Sequence, residues 1–128
     1  MFHLKLVLSL VLLTTYSVLS DDYEEIRAAC EKEHNFDHKN MKISDPNFPH
    51  EAKCALSCLF EKTEVFKKDG TIDREREKEM IEKVVKDEDL KKKFLKATDE
   101  CDVSAKADKC ETAYEFVKCK TEKTANMK

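Results

Sequence analysis

The sequence predicts an all-α protein, a compact bundle of about six helices held by three disulfides. The chain has one Gly and two Pro among 128 residues, which leaves few turn-forming residues. Charged residues of both signs make up 40% of the chain, a composition typical of solvated helix faces. Six cysteines follow an apolar leader. Because export exposes them to an oxidising environment, this count favours three disulfides over a zinc site.

The first 20 residues have the pattern of a secretory signal peptide. Lys5 supplies positive charge, residues 6–13 form the apolar run, and compact residues end at Ser20. The stretch is too short for a membrane anchor. We therefore expect residues 1–20 to be removed and residues 21–128 to form one secreted helical domain.

Charge and motifs exclude several function classes. After cleavage the chain would hold 23 basic and 27 acidic side chains, a net charge of −4. This balance offers no electrostatic footprint for nucleic acid or for stable binding to an anionic membrane. The sequence has no Gly-rich phosphate loop and no Gly-x-Ser-x-Gly motif, and bridged cysteines leave no thiol nucleophile. We expect no enzymatic activity, no catalytic residue, no cofactor and no metal site.

The helices in the first half of the bundle are predicted from an apolar helix face and from helix-breaking residues at their ends. A helix is expected at about residues 22–33, and a short one at about residues 40–43. Pro49 can occupy the first position of the next helix. That helix should run to about residue 66, before a stop at which Gly70 can adopt positive φ.

An aspartate precedes each of the remaining helices and can cap it. Asp108 and Glu111 form a capping-box-like pair at the last of them. The helices are expected at about residues 74–86, 88–101 and 109–122, with Asp73, Asp87 and Asp108 as caps.

Two helices are apolar over more than half of their circumference, the one with Cys54 and Cys58 and the last one. A helix with so wide an apolar arc must be contacted on several sides, so we place both at the centre. Cys54 and Cys58 are four residues apart and leave one face, so each should reach a different neighbour. Cys110 and Cys119 leave opposite sides of the last helix and cannot pair within it. Fifteen connectivities are formally available to six cysteines, and sequence alone does not choose.

Histidines give a weaker signal. His34 and His38 are four residues apart, a spacing that can bind a metal, but no third ligand is obvious. A solvated pair is the favoured interpretation. Together with His50 they form an alternative hypothesis, a pH sensor.

The cysteine spacing Cys30-x23-Cys54-x3-Cys58-x42-Cys101-x8-Cys110-x8-Cys119 resembles that of the insect odorant-binding proteins. Residues 108–119 also resemble the last helix of that family, and residues 53–62 its third. The resemblance covers the whole chain after the leader. It implies an apolar cavity among the helices and the pairs Cys30–Cys58, Cys54–Cys110 and Cys101–Cys119.

The function that this resemblance implies is that of a secreted carrier. It would bind and solubilise small hydrophobic ligands, odorants or pheromones, and deliver them to a chemosensory receptor from the sensillar lymph. The protein would be a monomer or a weak dimer. Tyr114 would offer its hydroxyl to a polar ligand head. The residues expected to line the cavity, each of them alternatively plain core, are Phe48, Ala55, Leu59, Phe66, Ile72, Met80, Val84, Phe94, Tyr114 and Val117.

Two other functions stay open on the sequence. One is a carrier of the same fold for a lipid, hormone or toxin in a non-olfactory secretion. The other is a secreted protein-interaction module with a filled core. Only nine residues follow Cys119. They are too few and too polar for the pocket-entering tail of moth pheromone-binding relatives, so any pH-dependent release would need another mechanism.

Overall fold

A computed structural model describes residues 19–127. Most of the expected leader lies outside these residues, and the cleavage site stays a prediction. The described chain contains five helices and no strand, which confirms the all-α class. They are α1 Leu19–Glu33, α2 His50–Lys62, α3 Arg74–Val84, α4 Glu88–Glu100 and α5 Lys109–Ala125.

The predicted short helix at residues 40–43 is wrong, so the helix count is five and not six. Residues 34–49 form a series of turns joined by short irregular stretches instead. Asn35 ends the preceding helix in the left-handed region at φ 52°. The segment is anchored by apolar side chains that pack around Phe48, namely Phe36, Met41 and Ile43. Asp, Asn and Pro residues recur along it, and these residues favour turns over a continued helix.

Helix α2 ends at Lys62, earlier than the end predicted near Phe66. Glu64 adopts φ 64°, a left-handed conformation that turns the chain out of the helix. Phe66 then forms an isolated antiparallel bridge with Ile72. Gly70 has φ 86°, as the sequence predicted, but it serves the turn inside this bridge and not the helix end.

The three predicted aspartate caps are present. Their side-chain oxygens accept hydrogen bonds from the backbone N–H groups of the first turn, at 3.1 Å for Asp73, 3.0 Å for Asp87 and 2.8 Å for Asp108. Glu111 does not complete a capping box. Its carboxylate accepts a hydrogen bond from Lys53 on α2 at 3.1 Å, because α2 and α5 lie side by side.

The five helices pack as a ring in the order α1, α2, α5, α4, α3, and α3 packs back against α1. The most extensive seam is between α2 and α5. These two helices were predicted to be central, yet each has two helix neighbours, like the other three. Their wide apolar arcs have another cause, because both helices contribute to two cores. One core contains Phe60 and Phe116, and the other contains Ala52 and Tyr114.

Three disulfides follow the ring. They pair Cys30 with Cys58, Cys54 with Cys110, and Cys101 with Cys119, the same pairs that the family resemblance implies. They connect α1 to α2, α2 to α5, and the end of α4 to α5. Among the described helices, only α3 carries no disulfide, so non-covalent contacts alone hold it in the ring.

The disulfide that closes the longer loop should contribute more to the free energy of unfolding. Cys54–Cys110 spans 56 residues and Cys101–Cys119 spans 18. In the chain-entropy model, replacing the first pair with Ala lowers the free energy of unfolding by about 4 kcal/mol, and replacing the second by about 3 kcal/mol. Urea unfolding of the two double-Ala variants measures the difference. A larger loss for the Cys101–Cys119 variant would contradict loop entropy as the source.

Candidate functional site

A cleft of about 140 Å³ lies inside the ring, and all five helices contribute to its wall. It is partly open to solvent, so the described residues show a concave site and not a closed core cavity. Four of the lining residues are polar, namely Tyr23, Thr63, Glu77 and Lys120. The other eight are apolar, namely Leu59, Phe60, Val65, Met80, Ile81, Val84, Val85 and Phe94.

Helix α3 supplies much of the apolar wall. Met80, Ile81 and Val84 follow one another at spacings that place them on one helix face. Met80 and Ile81 are buried, with 6% and 5% of their surface exposed. Glu77 precedes Met80 by three residues and Ile81 by four, so the same geometry turns its carboxylate inward, and Glu77 is buried.

An ion pair lies in this apolar wall. The Lys120 ammonium donates a hydrogen bond to Glu77 Oε1 at 2.9 Å, and the two side chains are only 15% and 11% exposed. The ammonium also lies 4.9 Å from the ring centroid of Phe116, within cation–π range. Each charge compensates the other, which allows both to remain away from water.

Tyr23 on α1 faces the same part of the cleft. Burial raises the pKa of its hydroxyl to about 12, and the negative charge of Glu77 contributes in the same direction. Both effects disfavour the phenolate, burial by removing water and Glu77 by repulsion. Tyr23 therefore stays a neutral hydrogen-bonding group to a higher pH than an exposed tyrosine does.

Comparison with protein families gives a match over most of the chain. The PBP/GOBP family model matches residues 15–123. The chain belongs to the PBP/GOBP family. These are the insect odorant-binding proteins, and the six cysteines fit their six-cysteine type. The family consists of secreted carriers of small hydrophobic ligands and not of enzymes. No curated protein and no solved structure matches the chain.

In this PBP/GOBP-family chain the ten residues expected to line a cavity lie in different regions. Four line the cleft: Leu59, Met80, Val84 and Phe94. Three pack in or against the core around Phe60 and Phe116: Phe66, Ile72 and Val117. Two belong to the core of the 34–49 segment: Phe48 and Tyr114. Ala55 is buried, with 3% exposed, and is not part of the cleft lining. Ligand contact stays a prediction for each of them.

Tyr114 already uses its hydroxyl within the protein. It donates a hydrogen bond to the carbonyl oxygen of Ile43 at 3.1 Å. Its ring stacks on Phe48 with centroids 5.2 Å apart, and the Lys53 ammonium lies 4.4 Å from its centroid. Tyr114 thus holds the 34–49 segment against α5, and the phenol that lines the cleft is that of Tyr23.

Sequence reasoning missed the polar residues of the cleft. The mixed charge of the chain indicates solvated helix faces and does not single out Glu77, although its spacing to Met80 and Ile81 is a usable signal. Lys120 lies within the last helix predicted from the sequence, but its polar surroundings after Cys119 gave no sign that it reaches the cleft.

The histidines contact carboxylates on the surface. Because α1 ends at Glu33, His34 and His38 do not lie on one helix face. The nitrogen–oxygen distances are 3.3 Å for His34–Glu51, 2.7 Å for His38–Glu31 and 3.4 Å for His50–Asp108.

None of the helices within residues 19–127 is long and apolar enough to cross a membrane.

The raised pKa of Tyr23 predicts a loss of stability in alkali. The unfolded chain releases this proton near pH 10 and the folded protein near pH 12. Stability from the protonated phenol is therefore complete below pH 10 and declines as the pH rises from 10 to 12. Absorbance at 295 nm should show one tyrosine titrating late. Tyr23→Phe should remove that late step, and its persistence in the variant would contradict the assignment.

Proposed function

We propose that this protein is a secreted carrier that binds a small hydrophobic ligand in the cleft inside the helix ring. The observation that carries the proposal is the composition of the cleft, eight of whose twelve lining residues are apolar. Membership of the PBP/GOBP family supports the same function. Concave, mostly apolar sites with a few polar groups are the usual form of small-molecule sites.

Uptake requires no chemical reaction. Each Å² of apolar ligand surface removed from water contributes about 25 cal/mol, so burial favours transfer of the ligand from water to the cleft. The polar residues of the cleft then set which ligands are accepted. Release follows when the ligand meets a site with higher affinity or when the cleft opens.

Delivery of odorants or pheromones to a chemosensory receptor is the finer proposal. It requires export, for which residues 1–20 would act as a signal peptide. Three disulfides and no free cysteine among the described residues support an oxidising compartment such as the sensillar lymph.

Probe binding to the oxidised protein that begins at Asp21 tests the carrier proposal. The small apolar dye 1-aminonaphthalene, whose two fused rings carry no bulky substituent, should bind one-to-one and be displaced by small apolar volatiles. Val84→Trp fills the cleft and should weaken dye binding at least tenfold. Leu90→Trp is the matched control, because Leu90 is 40% exposed on the outside of α4.

Two results would overturn this proposal. If a folded, fully bridged sample binds no dye, the carrier function fails and a surface-interaction function takes its place. If the dye binds equally well to both Trp variants, the cleft is not the site.

A further inference from the structure

We propose that the cleft selects a short, uncharged ligand with one oxygen-containing polar group, such as a six-carbon alcohol, over acids and amines of equal length. This inference rests on the proposed carrier function and names the chemical class of the ligand. Two observations carry it, the size of the cleft and the buried Glu77–Lys120 ion pair.

The size of the cleft limits the length of the ligand. Its volume is about 140 Å³. An engineered protein cavity of about 150 Å³ accommodates benzene, whereas sites for drug-sized ligands measure about 300–1,000 Å³. A ligand of roughly six to ten heavy atoms therefore fills the space. A long fatty chain would leave most of its apolar length outside and gain less from burial.

The ion pair makes a third charge unfavourable. Glu77 and Lys120 already neutralise each other at 2.9 Å with little access to water. A ligand carboxylate attracted to Lys120 would lie close to Glu77, and a ligand ammonium attracted to Glu77 would lie close to Lys120. Either ligand must also lose its own hydration on entry. Next to Tyr23 on α1, Arg27 is paired with Glu24 and with Glu31, so it offers a ligand carboxylate no free cation.

The same groups can still bind a neutral oxygen. The ion pair uses one carboxylate oxygen of Glu77 and one N–H of Lys120. A carboxylate can accept further hydrogen bonds at its second oxygen, and an ammonium has three donors. The neutral hydroxyl of Tyr23 lines the same cleft. A ligand hydroxyl or carbonyl can therefore be satisfied without breaking the ion pair, whereas a plain hydrocarbon offers these groups no partner.

Competition against the bound dye at pH 7 tests this selectivity with three ligands of one length, hexan-1-ol, hexanoate and hexylammonium. We expect the wild-type protein to bind the alcohol at least tenfold more tightly than either ion. Glu77→Gln leaves Lys120 unpaired and should raise the affinity for hexanoate, relative to the affinity for hexan-1-ol, at least tenfold. Lys120→Met leaves Glu77 unpaired and should raise the affinity for hexylammonium, relative to the affinity for hexan-1-ol, at least tenfold.

The controls separate selectivity from folding. Glu88→Gln also removes the carboxylate of an ion pair, with Lys91 at 3.2 Å, but on the exposed surface of α4, and should keep the wild-type order. Because a single buried charge can unfold a protein, the double variant Glu77→Met/Lys120→Met, which removes the hydrogen-bonding groups of both side chains, provides a second test. It should bind the dye normally and bind hexanol about tenfold more weakly.

The outcomes distinguish this inference from the carrier function. Absence of dye binding overturns both. Dye binding that Val84→Trp blocks, together with equal wild-type affinity for hexanol and either ion, overturns only the selectivity. An unchanged order of affinities in both single variants, or unchanged hexanol binding in the double variant, also overturns it.

Discussion

The structure depends on the two disulfides that leave one face of α2. Cys54 joins α2 to α5 and Cys58 joins it to α1, and Cys101–Cys119 extends the connection to α4. Four of the five described helices are thereby covalently linked in ring order. Helix α3 has no disulfide and closes the ring through non-covalent contacts alone. Since α3 also forms much of the apolar wall, the cleft lies between four cross-linked helices and the one described helix that has no disulfide.

Charge inside the ring is the second constraint. An apolar wall would accept any hydrophobic molecule of the right size, and discrimination requires polar groups with spare hydrogen-bonding capacity. Glu77 and Lys120 satisfy each other's charge yet keep such capacity, and Tyr23 adds a neutral phenol, whose pKa burial raises further above neutral pH. The pair has a structural role as well, since it bridges α3 to α5, two helices that otherwise meet only through α4 or through α1 and α2.

The starts of three helices were predictable from neighbouring residues in the sequence. The end of α2, the path of residues 34–49 and the shape of the cleft depend on other features. Asp73, Asp87 and Asp108 marked helix starts because a cap needs only its own first turn. The end of α2 could not be predicted, since Glu64 turns the chain with a left-handed conformation that glutamate seldom adopts. Residues 34–49 are ordered by packing on α5, a contact far away in sequence. The cleft was predicted in part, because apolar spacing identifies buried faces but does not distinguish a filled core from a concave site.

The central claim is that ligand enters the cleft inside the ring, and methionine methyl NMR tests it most directly. After residue 20 the chain has three methionines, and they report on separate regions. Met80 lines the cleft, Met41 packs in the core of the 34–49 segment, and Met127 lies beyond α5. Saturating hexan-1-ol should shift the Met80 methyl resonance and give a ligand–methyl NOE there, with Met41 and Met127 unchanged. A shift and NOE at Met41 without any at Met80 would place the ligand against Phe48 and Tyr114 and contradict the account.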